Sequence, residues 1–564
     1  MMVTTDKLNC NILTDLLVAH GVKLVIASPG SRNAPLLVAL SRRDELRMEM
    51  VVDERSAAFI ALGAAIESGE PVAICCTSGS ALLNYAPAVA EAFYRGIPLI
   101  VVSADRPPEW IDQDDSQTIR QPGALAGIVK TTTDIPCRLT HESEKWMTVR
   151  EINDALAIAL SPRRGPVHIN IRIDAPLGKL TDYNAGQSPV IMTSSVWPSV
   201  SDEVIREASL AVTSHRKIMI VAGFMTPDTE LNESLQRLSK LPGVAVLTET
   251  VANLHSPDFI SAIDLALNQA LRDEDSSRFC PDMVITLGGA LVSRKIKEFL
   301  RSTPSLIHWH VGIAEHYVDC FKHLSLAVKT SPSVFFGRLA DDIEGRATVA
   351  SDFGKIWRDA FCKGIEFQER KIAREGWTDM KAFSTLLKSL PESSILHFSN
   401  GTPIRYSQLM GYLHFARVDC NRGVSGIDGC TSTALGASLV APSDVILVSG
   451  DMSFQYDIAA LSSRLLSSRL KMVVALNSGG GIFRFVESTS RLPEREEFFS
   501  RCMNLPLKEL AEAYGIRYLQ AGSYDELKNV LPIFLSESDR PVILGITTPA
   551  EESAESLRSY FESR

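Results

Sequence analysis

Short aliphatic and β-branched runs alternate along this chain with longer stretches in which apolar residues recur at helical spacing. The clearest example begins with Val445-Ile446-Leu447-Val448, continues through Ser449-Gly450-Asp451-Met452 and an amphipathic stretch over 454–470, and returns to Met472-Val473-Val474-Ala475-Leu476. Two buried-strand patterns around one helical pattern, with no hairpin signal, predict a strand-helix-strand unit with parallel strands. The same alternation fills the front of the chain. Thr5-Asp6 opens a helix through Leu8, Ile12, Leu13, Leu16 and Leu17 that Gly21 closes, and segments 23–27, 48–52, 72–76, 99–103 and 167–173 read as strands. Segments 218–221, 244–247, 283–287 and 306–310 repeat the pattern, and a third group starts near Ser351 and includes 395–398. A Pro- and Ser-bearing linker is expected over 176–201, and 550–564 reads as a polar, mostly acidic helix, a solvated face or a packing arm. The fold class is therefore α/β, with three doubly wound parallel-sheet domains over 1–180, 200–340 and 351–564.

In parallel sheets ligands bind beyond the carboxyl ends of the strands. Asp451 falls there after one strand, and Asn477-Ser478-Gly479-Gly480-Gly481 follows the next. A carboxylate and an amide oxygen among glycines suit a hard divalent cation shared with phosphate. The glycines let backbone approach an anion, and a helix starting at Asp451 would favour negative charge. Gly450-Asp451 alone is equally well an acidic cap at a strand-to-helix turn; Asn477 and the glycines after it favour the cradle. Other strand ends carry Ser28-Pro29-Gly30-Ser31-Arg32-Asn33, Asp53-Glu54-Arg55-Ser56, Thr77-Ser78-Gly79-Ser80 and Ala104-Asp105-Arg106-Pro107-Pro108. Each is by itself an ordinary turn, and Glu54 alone is explained as a first-turn carboxylate facing a helix dipole.

Composition narrows the class. At 564 residues, with 45% hydrophobic and 22% charged residues, the chain has the make-up of a multidomain globular enzyme. A net charge of −10 and the lack of a basic stripe argue against nucleic-acid binding. No stretch approaches the length of a membrane span and no leader pattern opens the chain, so a cytoplasmic location is expected. The ten cysteines have neither metal nor disulfide spacing. Neither G-x-G-x-x-G nor G-x-x-x-x-G-K-[ST] occurs, so a dinucleotide or P-loop site is unsupported.

Taken together, the metal-diphosphate unit near the end and the strand-end Glu54 near the start resemble the thiamine diphosphate enzymes. Within these, Ser28-Pro29-Gly30-Ser31-Arg32, Asp53-Glu54-Arg55-Ser56-Ala57, Ala104-Asp105-Arg106-Pro107-Pro108, Asn421-Arg422-Gly423 and Ser425-Gly426-Ile427-Asp428-Gly429 look like one family, in the correct order along the chain. It is the family of 2-succinyl-5-enolpyruvyl-6-hydroxy-3-cyclohexene-1-carboxylate synthases of menaquinone biosynthesis.

The resemblance implies that Asp451, Asn477 and the Gly479 carbonyl hold Mg²⁺, or Mn²⁺ in its place, on the cofactor diphosphate, with Gly450 beside it. It implies that Ile427 wedges thiamine into a bent form and that Glu54 hydrogen-bonds the pyrimidine N1′ and promotes cofactor deprotonation. The family reaction decarboxylates 2-oxoglutarate and adds the four-carbon unit to isochorismate. Both substrates are dianions. Arg32, Arg106, Arg405, Arg422, Arg294 and Lys295 would supply positive charge, and Ser31 and Gln117 neutral contacts; arginine suits this because its planar fork pairs with carboxylates. A homodimer or homotetramer with active sites at subunit interfaces is implied as well. The chain departs from the family's usual residues in four places. Asp114-Asp115-Ser116-Gln117 stands for Gly-Ala-Asn-Gln, Gly401 for Ser with Thr402 as a nearby hydroxyl, Arg294-Lys295 for Lys-Arg, and Leu476 for Asn. An acetolactate synthase or 2-oxoacid decarboxylase would share Glu54 and the cradle without needing Arg32, Arg405 and Arg422 together, and a catalytically silent scaffold would share the fold alone.

Overall fold

The computed structural model describes residues 1–194, 198–500 and 505–562. Three sheets organise it. The first runs in the order Arg47–Met50, Leu24–Ala27, Val72–Cys76, Leu99–Asp105, Val167–Arg172, Thr132–Ile135, parallel throughout. The middle sheet is Val244–Thr248, Ile218–Ala222, Met283–Leu287, Ile307–Val311, Leu324–Val328, again parallel. The third is Arg417–Cys420, Ile395–Phe398, Val445–Gly450, Leu470–Leu476, Val542–Thr547, Arg517–Ala521.

Numbered along the chain within each sheet, the first and third sheets have one and the same strand order, 2-1-3-4-6-5. The order reverses between their first and third strands. At such a switch point the two neighbouring loops splay apart and leave a crevice at the carboxyl ends. In the first sheet those loops begin at Ser28 and Thr77; in the third they begin at Ser399 and Asp451. Every strand flanking a switch point is an aliphatic run buried nearly end to end, which is why both sheets are covered by helices and not by water.

The chain divides into two compact units. One comprises Met1–Val196, Gly423–Val445 and Tyr456–Leu470; the other comprises Trp197–Arg422, Ile446–Gln455 and Lys471–Arg564. In the first unit the helix Glu54–Ser68 is buried over nearly its whole length, and it packs on the helix Cys430–Ser438. In the second, the helix Phe353–Arg374 packs on Ile263–Ala270, and Trp357 lies fully buried with its indole donating to the carbonyl of Phe279 at 3.2 Å. One continuous apolar core there joins Met219, Val284 and Phe361 to Val473 and Leu544.

Two expectations need correction. Residues Met2–Thr5 form a strand that pairs antiparallel with Leu180–Tyr183, so the expected linker contains a strand; residues 195–197 of it lie outside those described. The amphipathic stretch over 454–470 is not one helix. It is a helix Asp451–Tyr456, a 3-10 turn Ile458–Ser462 and then irregular chain. Buried Asp457 stops the helix by taking the backbone N–H and hydroxyl of Ser432, at 2.6 and 2.9 Å. The final helix Ala550–Glu562 is as expected acidic outside, and of the two roles open to it the structure shows the packing arm, since it buries Ala554, Leu557 and Tyr560.

Candidate active site

In the third sheet, the strand Val445–Gly450 delivers Asp451 into its crevice, 8% exposed. Its carboxylate accepts from the backbone N–H of Met452 and of Gly479, each at 2.8 Å. Burial raises its pKa, while those N–H groups, that of Asn477 and, to a smaller extent, the charge of Arg484 lower it. The helix after it has six residues, too short for the dipole anticipated from sequence to contribute much. Ser478, Gly479 and Gly480 are consecutive left-handed residues, with φ of 64°, 75° and 57°. Such a run turns successive backbone N–H groups toward one side, a concavity that suits an anion.

Asn477 is buried, and its amide nitrogen donates to Asp379 at 2.8 Å. The Gly479 carbonyl accepts from the guanidinium of Arg484 at 2.7 Å, and Arg484 is itself paired with Glu496 and Glu551. One carboxylate, one amide oxygen and one carbonyl form an all-oxygen donor set. Among the described residues no group of three or more His, Cys, Asp and Glu gathers as a metal site. The set therefore fits an ion that completes its shell with phosphate and water, as Mg²⁺ does, and does not fit a zinc-type cage.

The second unit also contains a cavity of about 370 Å³ lined by Arg294, Lys295, Arg405, Asp264, Leu409 and Phe485 among others. Three of the expected substrate cations thus face one space. Burial, followed by the neighbouring charges of Arg294 and Arg422, pushes Arg405 down to about 10. Arg422 lies close by, donating to Asn400 at 3.0 Å. Among the described residues the Nε atoms of Arg405 and Arg422 are buried without a hydrogen-bond partner. A buried cationic donor left open is costly, and a ligand carboxylate would satisfy it.

Two carboxylates, Glu249 buried and Asp264 partly buried, hold this wall in place. Glu249 accepts from the backbone N–H groups of Val292 and Ser293 at 2.7 and 2.8 Å, and Asp264 accepts from the Ser293 hydroxyl at 2.5 Å. They fix the start of the helix Arg294–Ser302, whose first two residues are the cations. Burial raises both carboxyl pKa values, that of Glu249 to about 7.

The first unit gathers the remaining residues. Asp53 caps the helix Glu54–Ser68 by accepting from Ser56 N–H at 3.0 Å, and Glu54 lies half-buried in the first turn. Asn84 donates to it over a long 3.5 Å. Ile427 precedes the helix Cys430–Ser438 in a loop pinned at its start by Glu91. That wholly buried carboxylate accepts from Gly423 and Val424 N–H at 2.8 and 2.7 Å. At the switch point a Cβ on Gly30 would stand 2.3 Å from that of Thr77, and Gln117 packs against Gly79. Arg32 donates to the Ile173 carbonyl at 2.9 Å; its pKa is lowered by burial and then by nearby Arg106. Ser31 is exposed beside them. Ser31, Arg32, Arg106 and Gln117 therefore share one end of the first sheet, while Arg294, Lys295, Arg405 and Arg422 belong to the second unit.

The departures from the family pattern acquire physical meanings. Asp115 forms an ion pair with Arg106, so an expected substrate cation already has an anionic partner. Asp112, Asp114 and Gln117 in that loop are left-handed, a backbone that costs non-glycine residues energy. Gly401 has φ 104°, which disfavours the serine usual there. Sequence reasoning missed Glu91, Asp264, Glu249, Asp379, Arg484 and Gln121. Gln121 is fully buried, accepts from Gly79 N–H at 2.8 Å and donates to Asn170 at 2.8 Å.

Three family models match the chain in succession. Residues 10–124 match the thiamine pyrophosphate enzyme N-terminal TPP binding domain, 177–344 the middle domain of thiamine pyrophosphate enzymes, and 417–546 the C-terminal TPP binding domain. A 2-succinyl-5-enolpyruvyl-6-hydroxy-3-cyclohexene-1-carboxylate synthase of Porphyromonas gingivalis is 41% identical over 99% of this chain and 97% of its own length. Proteins of the same name from Christiangramia forsetii, at 37% over 97% of both chains, and Bacteroides thetaiotaomicron, at 34% over 99% of both, are similar throughout.

Proposed function

Since the chain belongs to the 2-succinyl-5-enolpyruvyl-6-hydroxy-3-cyclohexene-1-carboxylate synthase family of thiamine diphosphate enzymes, we propose that it carries out that family's reaction with the residues placed above. It decarboxylates 2-oxoglutarate and adds the resulting four-carbon unit to isochorismate, a step in menaquinone biosynthesis. The observation that carries this reading is the whole-length similarity to synthases of that name combined with Glu54, Asp451 and Asn477, all present in this chain. The domains are proposed as 1–180, 200–340 and 351–564.

When bound, thiamine diphosphate supplies the carbon that accepts the 2-oxo acid and stores the electron pair released with CO₂. Asp451, Asn477 and the Gly479 carbonyl would hold Mg²⁺ on its diphosphate, and the left-handed run at 478–480 keeps the Gly479 N–H on Asp451. Glu54 would hold or pass a proton at the aminopyrimidine, and Ile427 would press on the ring system from its pinned loop. Arg405, Arg422, Arg294 and Lys295 would take carboxylates in the cation-walled cavity, while Arg32, Arg106, Ser31 and Gln117 would grip a second carboxylate-bearing substrate. Among the described residues the Nε atoms of Arg405, Arg422 and Arg106 are buried without a hydrogen-bond partner, which supports the roles given to those three.

The proposal includes a homo-oligomer in which Glu54 of one subunit serves the diphosphate site of another. Val52 and Leu83, adjacent in sequence to the Glu54 helix and to Asn84, are 79% and 47% exposed, apolar surface that a second copy would cover. Among the described residues no helix is long and apolar enough to cross a membrane, and a cytoplasmic location goes with the reading. The test is direct. Purified protein with thiamine diphosphate, Mg²⁺, 2-oxoglutarate and isochorismate should yield the expected product by mass; CO₂ release from pyruvate but not from 2-oxoglutarate would overturn the assignment.

A further inference from the structure

We infer that Asp379 is a positioning residue for the cation seat: its buried carboxylate fixes which way round the Asn477 amide sits, so that the oxygen is the atom left for a divalent ion. The inference rests on the proposed role of Asn477 as a metal ligand. Asp379 opens the helix Asp379–Ser389 and is 2% exposed. Its oxygens accept from the Asn477 amide nitrogen at 2.8 Å, from the Thr548 hydroxyl and from the Tyr406 hydroxyl, and its own N–H donates to the Ser553 hydroxyl at 2.9 Å. Thr548, Tyr406 and Ser553 are themselves buried.

Three donors converge on this carboxylate, and an ionised carboxylate can only accept. It therefore selects the NH₂ side of Asn477. Turning the amide over would bring its oxygen against the carboxylate and leave a buried N–H₂ elsewhere, both unfavourable. With the nitrogen held, trigonal geometry puts the oxygen on the opposite side of the amide from Asp379. The backbone of Asn477 is fixed as well, since its N–H donates to Asp451. Amide and carboxylate ligand are thus oriented by one connected set of hydrogen bonds.

Partners of this kind typically change metal affinity by roughly 10- to 100-fold when removed. The experiment uses the full-length protein and follows thiamine diphosphate binding by calorimetry across a Mg²⁺ titration. In Asp379→Asn, whose amide can face Asn477 with either end, half-saturating Mg²⁺ should rise about tenfold or more, while cofactor affinity at saturating Mg²⁺ returns to the parent value. Thr548→Val, which removes one anchor of the carboxylate and leaves its contact with Asn477, should show a smaller rise and serves where Asp379→Asn does not fold. A folded Asp379→Asn that titrates like the parent would overturn the inference. A parent protein that binds the cofactor equally well without any divalent ion would instead overturn the assignment of the seat.

Discussion

Gly436 meets the backbone of Ile60 directly: a Cβ on Gly436 would stand 1.8 Å from the Ile60 carbonyl oxygen, and one on Gly63 would stand 1.9 Å from that of Thr433. The helix that begins with Glu54 and the helix that follows Ile427 therefore touch main chain to main chain. Gly436→Ala must push them apart, and overpacking of this kind costs about 1–3 kcal/mol. Thermal melting should show that loss, with weakened turnover because Glu54 rides on the displaced helix. Gly127→Ala, where a Cβ meets nothing within 4 Å, is the matched control and should melt like the parent.

Glu54→Gln should abolish product formation without lowering the melting temperature. The residue caps nothing itself, since Asp53 supplies the N-cap bond. Turnover near that of the parent would remove Glu54 from the mechanism.

Arg405→Ala and Arg422→Ala should each lower kcat/KM for 2-oxoglutarate by roughly 10- to 100-fold, the range of one charged hydrogen bond. Thiamine diphosphate affinity, measured by calorimetry, should survive in both. Loss of cofactor affinity in both would move these arginines out of the substrate wall.

Asp115→Asn should tighten substrate binding. The pair with Arg106 is partly exposed, 33% on the Asp115 side, so its strength is at most about 1 kcal/mol and the expected fall in KM is roughly two- to fivefold. A raised KM would show that Asp115 instead holds Arg106 in its productive pose.

Asp457 gives a signed pH effect. Burial, opposed by its bonds to Ser432, raises its pKa to about 7, against 3.8 for the free group. The folded state thus keeps a proton that the unfolded state has lost, and stability due to this group declines from about pH 4 to about pH 7. Asp457→Asn should match the parent in melting temperature near pH 4, where both are neutral, and exceed it above pH 7. An unchanged difference across that range would show that Asp457 is already ionised at low pH.

Much of the fold was legible because central strands of parallel sheets are aliphatic runs. The strands absent from the sequence reading mostly lie at sheet edges. Thr132–Ile135, Leu324–Val328 and Arg517–Ala521 are only partly buried, so each mixes polar and apolar residues without a clear period. Val542–Thr547 is central, carries the same signal as its neighbours and was readable. Site residues in marked loops were legible too, because a glycine or proline beside a guanidinium stands out. Their supports were not: Asp379 lies 98 residues from Asn477 and Glu91 lies 332 from Gly423, and one sequence carries no record of such pairings. Glu91 did leave a trace, an acidic residue amid the otherwise buried Ala88, Val89 and Ala92.

The first compact unit draws on three separated stretches, the last ending at Leu470. On the ribosome the helix Glu54–Ser68 must therefore wait for Cys430–Ser438 to be synthesised, roughly 20–80 s at ordinary elongation rates. Until then the face around Gly63 has no mate, and a nascent chain at that stage is a natural client for chaperones. A fragment cut after residue 194 would remain in that unfinished condition permanently.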